Sequence, residues 1–506
     1  MFRFQQRMLL GSAVFMNILM LIYLAYLQDQ MYFISERKIK DCMNHSEQPM
    51  IKYKLTVVLR EFEGFENDVK NMVDSFMDHF PVNVSFVIVS DTLPYPPIDL
   101  PPLDQVKLVS FETDITRQYV DMVLTQWINS EYVLVVPDGV TVGTSSANVL
   151  SDILRLAESQ LNTNSVRMLA WPVSGAGNLQ CFGLNVKLKQ WTLQYYSTTT
   201  NNCDVLMGKF VLLMSRTDLI KLSSPFARPM HESIFIQTSA RGWKVAVQQH
   251  QLWQTSVKLY ENPHNSWKHR TLEQERRRKL FTQFGVKLLQ KVDGEEEWFG
   301  CSKHTERCFG TIHNDMPDYI YKGRWTPPCC LQALRITARH VFRILDRQHI
   351  RYWLEGGSLL GAVRNSDIIP WDYDVDIGMY RDDISKSTHL VNCEEESYED
   401  EDGFVWEKAP EGDFYRIQYS ATNHLHVDIF PFFSHNGTMT KKTWFKTHRQ
   451  DMPFPESFLK PLGKIDFVGI EAPAPNNAEA FLELKFGKGV VSNPRYPDSS
   501  KVVVPR

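Results

Sequence analysis

The run Ile368-Ile-Pro-Trp-Asp-Tyr-Asp-Val-Asp-Ile-Gly378 constrains the fold more than any other part of the chain. On a strand successive side chains point to opposite faces, so Asp372, Asp374 and Asp376 share one face while Tyr373, Val375 and Ile377 share the other. Three carboxylates on one face repel, and they are stable together only when cations or solvent neutralise them. A solvated strand edge would tolerate the acids. It would not explain the apolar opposite face, or Gly356-Gly357-Ser358 just upstream. Glycines let a backbone approach a phosphate closely, and their N–H groups with the Ser358 hydroxyl can hold its oxygens.

A second alternating run, His424-Leu-His-Val-Asp-Ile-Phe430, puts His426 and Asp428 on one face and Val427 and Ile429 on the other. Gly-Gly-Ser, then Asp-x-Asp, then a distant Asp on another strand is the arrangement of a nucleotidyltransferase fold. Hard oxygen ligands of this kind suit Mg²⁺ or Mn²⁺ bridging to a substrate diphosphate. His-x-His-x-Asp also has the composition of a zinc site, but the upstream aspartates call for a hard cation. His426 therefore reads as a neighbour that tunes Asp428 or contacts phosphate.

The 506 residues allow two or three domains with real cores. With 55 Lys and Arg against 59 Asp and Glu, the net charge is −4, which argues against a nucleic-acid partner. The apolar share of 43% excludes disorder, and eight Cys are too few for a small disulfide scaffold.

From Met8 to Leu27 there is no charged residue, and Arg3 and Arg7 precede the run. Its length matches a bilayer core of roughly 30 Å, and its end is a poor signal-peptide cleavage site. The expected order is a cytoplasmic stub (1–7), a single transmembrane helix (8–28) and a polar linker (29–50). Lysines and arginines on both sides leave orientation open. Three sequons, at Asn44, Asn83 and Asn436, favour a type II protein with its bulk lumenal.

Beyond the linker, Leu55–Leu59, Val84–Val89 and Tyr132–Val136 read as strands, and Val69, Met72, Val73, Phe76 and Phe80 fall at helical spacing. This order implies an α/β stem domain over 51–290 with a parallel sheet. It resembles nucleotide-sugar glycosyltransferases, whose metal site lies at a strand end. Here that end offers Asp138 alone, so the domain reads as a scaffold or acceptor-recognition unit. Cys181 and Cys203 could form a disulfide in an oxidising lumen. An α+β catalytic domain follows over 291–506, opening on a cysteine-rich loop, 301–330, and an amphipathic helix from Leu331 to Gln348. Its Cys301, Cys308, Cys329 and Cys330 can close a tetrahedral zinc site or pair as disulfides, and their spacing favours neither.

Trp353-Leu-Glu-Gly-Gly-Ser-Leu-Leu-Gly361, Trp371-Asp-Tyr-Asp-Val-Asp376 and the tail Phe481-Leu-Glu-Leu-Lys-Phe-Gly487 resemble the LicD-type phosphotransferases. The match to one branch of that family runs nearly the whole length, through Val58-Leu-Arg-Glu-Phe62, Asp91-Thr-Leu-Pro-Tyr-Pro-Pro97, Glu297-Trp-Phe-Gly-Cys301, Arg324-Trp-Thr-Pro-Pro-Cys-Cys330 and Ala474-Pro-Asn-Asn477. The resemblance implies a Golgi membrane enzyme that moves ribitol 5-phosphate from CDP-ribitol to a ribitol 5-phosphate on the phosphorylated O-mannosyl glycan of α-dystroglycan, releasing CMP. It further implies Mg²⁺ or Mn²⁺ at Asp374, Asp376 and Asp428 with Asp372 beside them, and structural zinc on the four cysteines. Gly356, Gly357, Ser358 and Arg364 fall in the nucleotide-diphosphate neighbourhood. Self-association is expected, with company from related Golgi glycan-modifying enzymes. A phosphocholine or other polyol-phosphate transferase is the nearest alternative, and a non-catalytic glycan-binding protein the next.

Overall fold

The computed structural model describes residues 53–496, except 81–82, 112–126, 144–147, 164, 201, 256–257, 308, 311, 314–315 and 446–447. The expected stub, anchor and linker, together with Asn44, lie outside the described residues. Among those described, no helix is long and apolar enough to cross a membrane.

The stem is built on a mixed sheet. Strands β1 (Tyr53–Leu59), β2 (Val84–Ser90), β3 (Val106–Ser110) and β4 (Ser130–Val136) run parallel in the order β3-β2-β1-β4. They are rich in Val, Ile and Leu because both faces of a parallel sheet are covered. Helix α1 (Val69–His79) turns Val69, Met72, Val73 and Phe76 onto one of those faces. Strand β6 (Phe210–Ser215) then enters antiparallel between β4 and β5 (Val166–Ser174), so the sheet is not purely parallel as the sequence pattern implies. The long helix α2 (Pro263–Phe284) closes the domain, capped at its start by Asn262 and at its end by Gly285 in the left-handed region (φ 67°).

A second stem sheet pairs β7 (Leu288–Gln290) with residues 192–194 and with 296–298. Phe299 packs into the stem core. The stem thus runs to about residue 299, across the boundary at 290 that the charge pattern suggests. Cys181 and Cys203 are joined, with Cα atoms 5.4 Å apart.

The catalytic domain has its own core. Helix α3 (Pro328–Arg347) starts with Pro at its first position and buries Ala333, Leu334, Val341, Phe342 and Leu345. The sheet it covers runs β8-β9-β12-β11-β10, where β8 is Tyr352–Leu354, β9 Val375–Tyr380, β10 Val405–Lys408, β11 Tyr415–Gln418 and β12 His426–His435. β9 and β12 are parallel and their neighbours antiparallel. Between β8 and β9 lies helix α4 (Gly356–Asn365), and helix α5 (Ala478–Phe486) packs on it from the C-terminal end. Asn436-Gly437 makes the hairpin turn after β12, both residues at positive φ, and Asn436 and Asn83 are exposed.

The two domains share a seam. Trp325 N donates to Lys189 O, Trp191 Nε1 donates to Trp325 O at 2.8 Å, and the Arg324 guanidinium lies 4.3 Å from the Trp191 ring centroid.

Candidate active site

Parallel pairing of β9 with β12 sets Asp376 directly opposite Asp428. Residues in register on neighbouring strands point to the same face, so the two carboxylates project side by side. Strand β9 begins only at Val375, however, so Asp372 and Asp374 sit in the loop that feeds it rather than on the strand itself. The loop is held by the Thr326 hydroxyl, which bonds Asp372 O, and by the Asp372 side chain, which accepts from Tyr373 N at 3.1 Å. It still delivers both acids to the same cavity, of about 630 Å³, that Asp376, Asp428 and His426 line.

Gly356, Gly357 and Ser358 are the first turn of α4 and not a loop. Gly356 has φ 52°, which lets β8 turn abruptly into the helix. A Cβ on Gly357 would stand 2.8 Å from Asp372 Oδ2, so this position must be small for the acid to sit where it does. Both glycines line the cavity, with the free N–H groups of a helix N-terminus behind them. The Ser358 hydroxyl, expected to hold phosphate, instead accepts from Asp376 N at 2.8 Å in a buried setting. It positions an acid. Arg364 is likewise placed elsewhere: at the far end of α4 its guanidinium donates to the carbonyls of Val490 and Val491, and it does not line the cavity.

Burial drives the acids toward protonation. Asp372 is pushed up to about 6 by desolvation. Asp374 and Asp376 are raised well above the usual carboxylate range, first by desolvation and then by neighbouring carboxylates, Asp428 among them. Asp428 differs: Arg416, opposite it on β11, grips both its oxygens at 3.0 Å. His426 sends Nε2 to within 3.9 Å of Asp428, while its Nδ1 pairs with His424 O at 3.0 Å.

Among the described residues, no group of three or more His, Cys, Asp or Glu is placed to hold a metal ion as the side chains stand. The donor set nevertheless fits a hard divalent cation, because Asp374 and Asp376 are acids in surplus that burial leaves uncompensated. Asp428 keeps lone pairs beyond the two that Arg416 engages.

Cys301 is joined to Cys329, Cα atoms 5.4 Å apart, and Cys330 is also in a disulfide, while Cys308 lies outside the described residues. A sulfur in a disulfide is not a thiolate, so zinc on the expected set Cys301, Cys308, Cys329 and Cys330 would replace these pairs.

Arg416, Lys441 and Glu355 are site residues that sequence reasoning missed. Arg416 faces the acids only because Tyr415–Gln418 pairs in register with His426–Ile429. Lys441 lines the cavity, bonds Asp451 at 2.7 Å and sits 4.1 Å from the Phe430 ring centroid. Glu355, the residue before α4, is buried and bonded to Lys485 of α5 and to Trp353 Nε1. Its place beside Gly356 in the motif was the one available signal.

Registered acids on neighbouring strands, under a helix that opens on two glycines, define a nucleotidyltransferase active site. Residues 349–477 match the LicD/FKTN/FKRP nucleotidyltransferase domain, and residues 42–292 match the fukutin-related protein stem domain. The chain is 45% identical over 495 residues to ribitol 5-phosphate transferase FKRP of Mus musculus, covering 97% of this chain and 96% of that protein. It is 44% identical to ribitol 5-phosphate transferase FKRP of Homo sapiens over the same shares. A short stretch of 43 residues is 44% identical to lipopolysaccharide cholinephosphotransferase LicD of Haemophilus influenzae, covering 8% of this chain and 16% of that protein. The chain belongs to the fukutin-related protein family.

Proposed function

We propose that this chain transfers ribitol 5-phosphate from CDP-ribitol to a ribitol 5-phosphate on the phosphorylated O-mannosyl glycan of α-dystroglycan, releasing CMP. The observation that carries the reading is the registered pair Asp376 and Asp428 with Asp372 and Asp374 at the same cavity. Asp374, Asp376 and Asp428 would hold Mg²⁺ or Mn²⁺, which when bound neutralises negative charge on the donor diphosphate.

The protein's own groups do the rest. The N–H groups at the start of α4, exposed by Gly356 and Gly357, orient the diphosphate oxygens. Ser358 holds the backbone N–H of Asp376, and Arg416 fixes the Asp428 carboxylate so that it does not have to reorganise during the reaction. Asp372, with its affinity for protons raised, takes the proton from the attacking ribitol hydroxyl. A bond forms from that oxygen to the ribitol-bearing phosphorus, the bond from phosphorus to the CMP oxygen breaks, and a phosphodiester remains.

The same proposal places the protein in the Golgi membrane as a type II, self-associating chain working beside related glycan-modifying enzymes, with Asn44, Asn83 and Asn436 lumenal. Residues 8–28 and the family resemblance support this. Zinc on Cys301, Cys308, Cys329 and Cys330 is the occupant the resemblance favours in place of the disulfides.

The test incubates the full chain with CDP-ribitol, Mn²⁺ or Mg²⁺ and a phosphoglycopeptide acceptor. Mass analysis should show product heavier by one ribitol phosphate, with CMP released and no product after chelation. Transfer from CDP-choline instead would establish the cholinephosphotransferase alternative. Zinc analysis of the same preparation should give about one tightly held ion per chain, as a tetrathiolate site requires.

A further inference from the structure

The carboxyl ends of β1 and β4 lead into a stem cavity of about 680 Å³ that shares no lining residue with the aspartate cavity. Crevices at the carboxyl ends of strands in open α/β sheets are where ligands bind, and this volume lies within the ordinary range of ligand sites. Three side chains that line it hold polar atoms without a hydrogen-bond partner: Asp138 Oδ2, His231 Nε2 and Glu232 Oε2. Asp138 is only 5% exposed. Its other oxygen accepts from Asp68 N at 3.0 Å at the start of α1.

We propose that this cavity binds a neutral, hydroxyl-rich ligand, a sugar ring or an open-chain polyol, at a site separate from the aspartate cavity. A buried acceptor left unpaired costs free energy, so Asp138 and Glu232 call for donors. Neutral His231 can present Nε2 as donor or acceptor, and a hydroxyl is the group that serves both roles.

An anion is a poor fit. Arg228 already bonds Glu61 at 3.1 Å and also Glu63 and Asp91, and Arg277 bonds Glu232 at 2.8 Å and Glu297 at 3.1 Å. Lys209 faces the charge of Asp138. The two arginines of the cavity are thus matched by carboxylates, and a phosphate would have to displace them. Aromatic walls from Tyr195, Phe210 and Tyr260 provide the apolar surface against which the C–H face of a sugar or polyol packs. Burial and the charge of Asp68 push Asp138 up to about 6, as expected of an acid waiting for a donor.

The test is ligand-observed saturation-transfer NMR on the full chain in detergent, with mannose, galactose and ribitol each at about 10 mM, a concentration suited to weak single-ring binding. Transfer to at least one of the three is expected, unaffected by inorganic phosphate or by Asp376→Asn. Asp138→Asn should weaken it about tenfold through the changed hydrogen bond. Met207→Trp should abolish it by filling the mouth, where Met207 is 42% exposed and a larger side chain leaves the core untouched. Absence of transfer to all three overturns the proposal, as does transfer that persists at wild-type strength in the folded Met207→Trp variant or is displaced by phosphate.

Discussion

Arg416 and Asp428 form a complete acid–base pair in the active site, and the contrast with Asp376 beside it is instructive. Asp428 is gripped by two charge-assisted bonds, whereas Ser358 holds only the backbone N–H of Asp376, whose carboxyl has a raised proton affinity. Asp376→Asn should therefore lower transfer by about a thousandfold or more, the scale of losing a preorganised electrostatic group. It should leave the melting temperature of the chelated protein unchanged or higher, because one repelling charge is gone. Transfer at near wild-type rate would remove Asp376 from the site; a melting temperature that collapses would make it structural. Asp372, Asp374, Asp376 and Asp428 were legible because acids spaced by two beside apolar residues have few innocent explanations. Arg416 was not: a lone arginine in Tyr415-Arg-Ile-Gln418 carries no sign of which strand will lie next to it.

At the scale of elements, β1, β2 and β4 could be read from unbroken Val and Leu runs, and α3 from its apolar stripe. The two misreadings share a cause. Alternation predicts a strand through 372–376, yet the chain pairs only from Val375, since the Asp372–Asp374 segment bonds Thr326 and itself instead of a neighbouring strand. Ser358 is expected to hold phosphate, but a helix starting at Gly356 buries Leu359 and Leu360 and turns the Ser358 hydroxyl onto Asp376 N. That helix is anchored at its start by the buried pair Glu355 and Lys485, which ties α4 to α5. Breaking one side of such a pair strands a charge, so Lys485→Met should destabilise the catalytic domain by about 3 kcal/mol. Adding Glu355→Gln should recover most of the loss. Urea unfolding of the two variants checks this, and equal losses in both would assign the effect to packing against Phe454 and Phe481 rather than to charge.

Across the whole molecule, the net charge of −4 hides strong local fields. In the stem, Glu63 is 3% exposed and is desolvated, which opposes ionisation, but bonds from His269 and Arg276 and the charge of Arg228 prevail and hold it down at about 2. A depressed carboxyl stabilises the fold above its unfolded value of 4.5, and that contribution is lost as the pH falls toward about 2. Because His269 and Arg276 lie on α2, acid should loosen this helix from the loop after β1. Urea midpoints at pH 6 and pH 3 should differ less in Glu63→Gln than in the wild type, and equal slopes would show that other carboxylates set the acid response.

The seam between the domains is formed by Lys189 and Trp191 of the stem meeting Arg324 and Trp325, far apart in sequence from one another. Arg324 and Trp325 lie just before α3, so the seam ties the stem to the segment that leads into the catalytic core. A destabilising change in the stem sheet should then lower the amount of folded protein. A loss of 1–2 kcal/mol is enough to change abundance several-fold in a cell. Such variants are candidates for rescue by lower temperature or by small molecules that stabilise the fold, whereas changes at Asp374 or Asp376 are not.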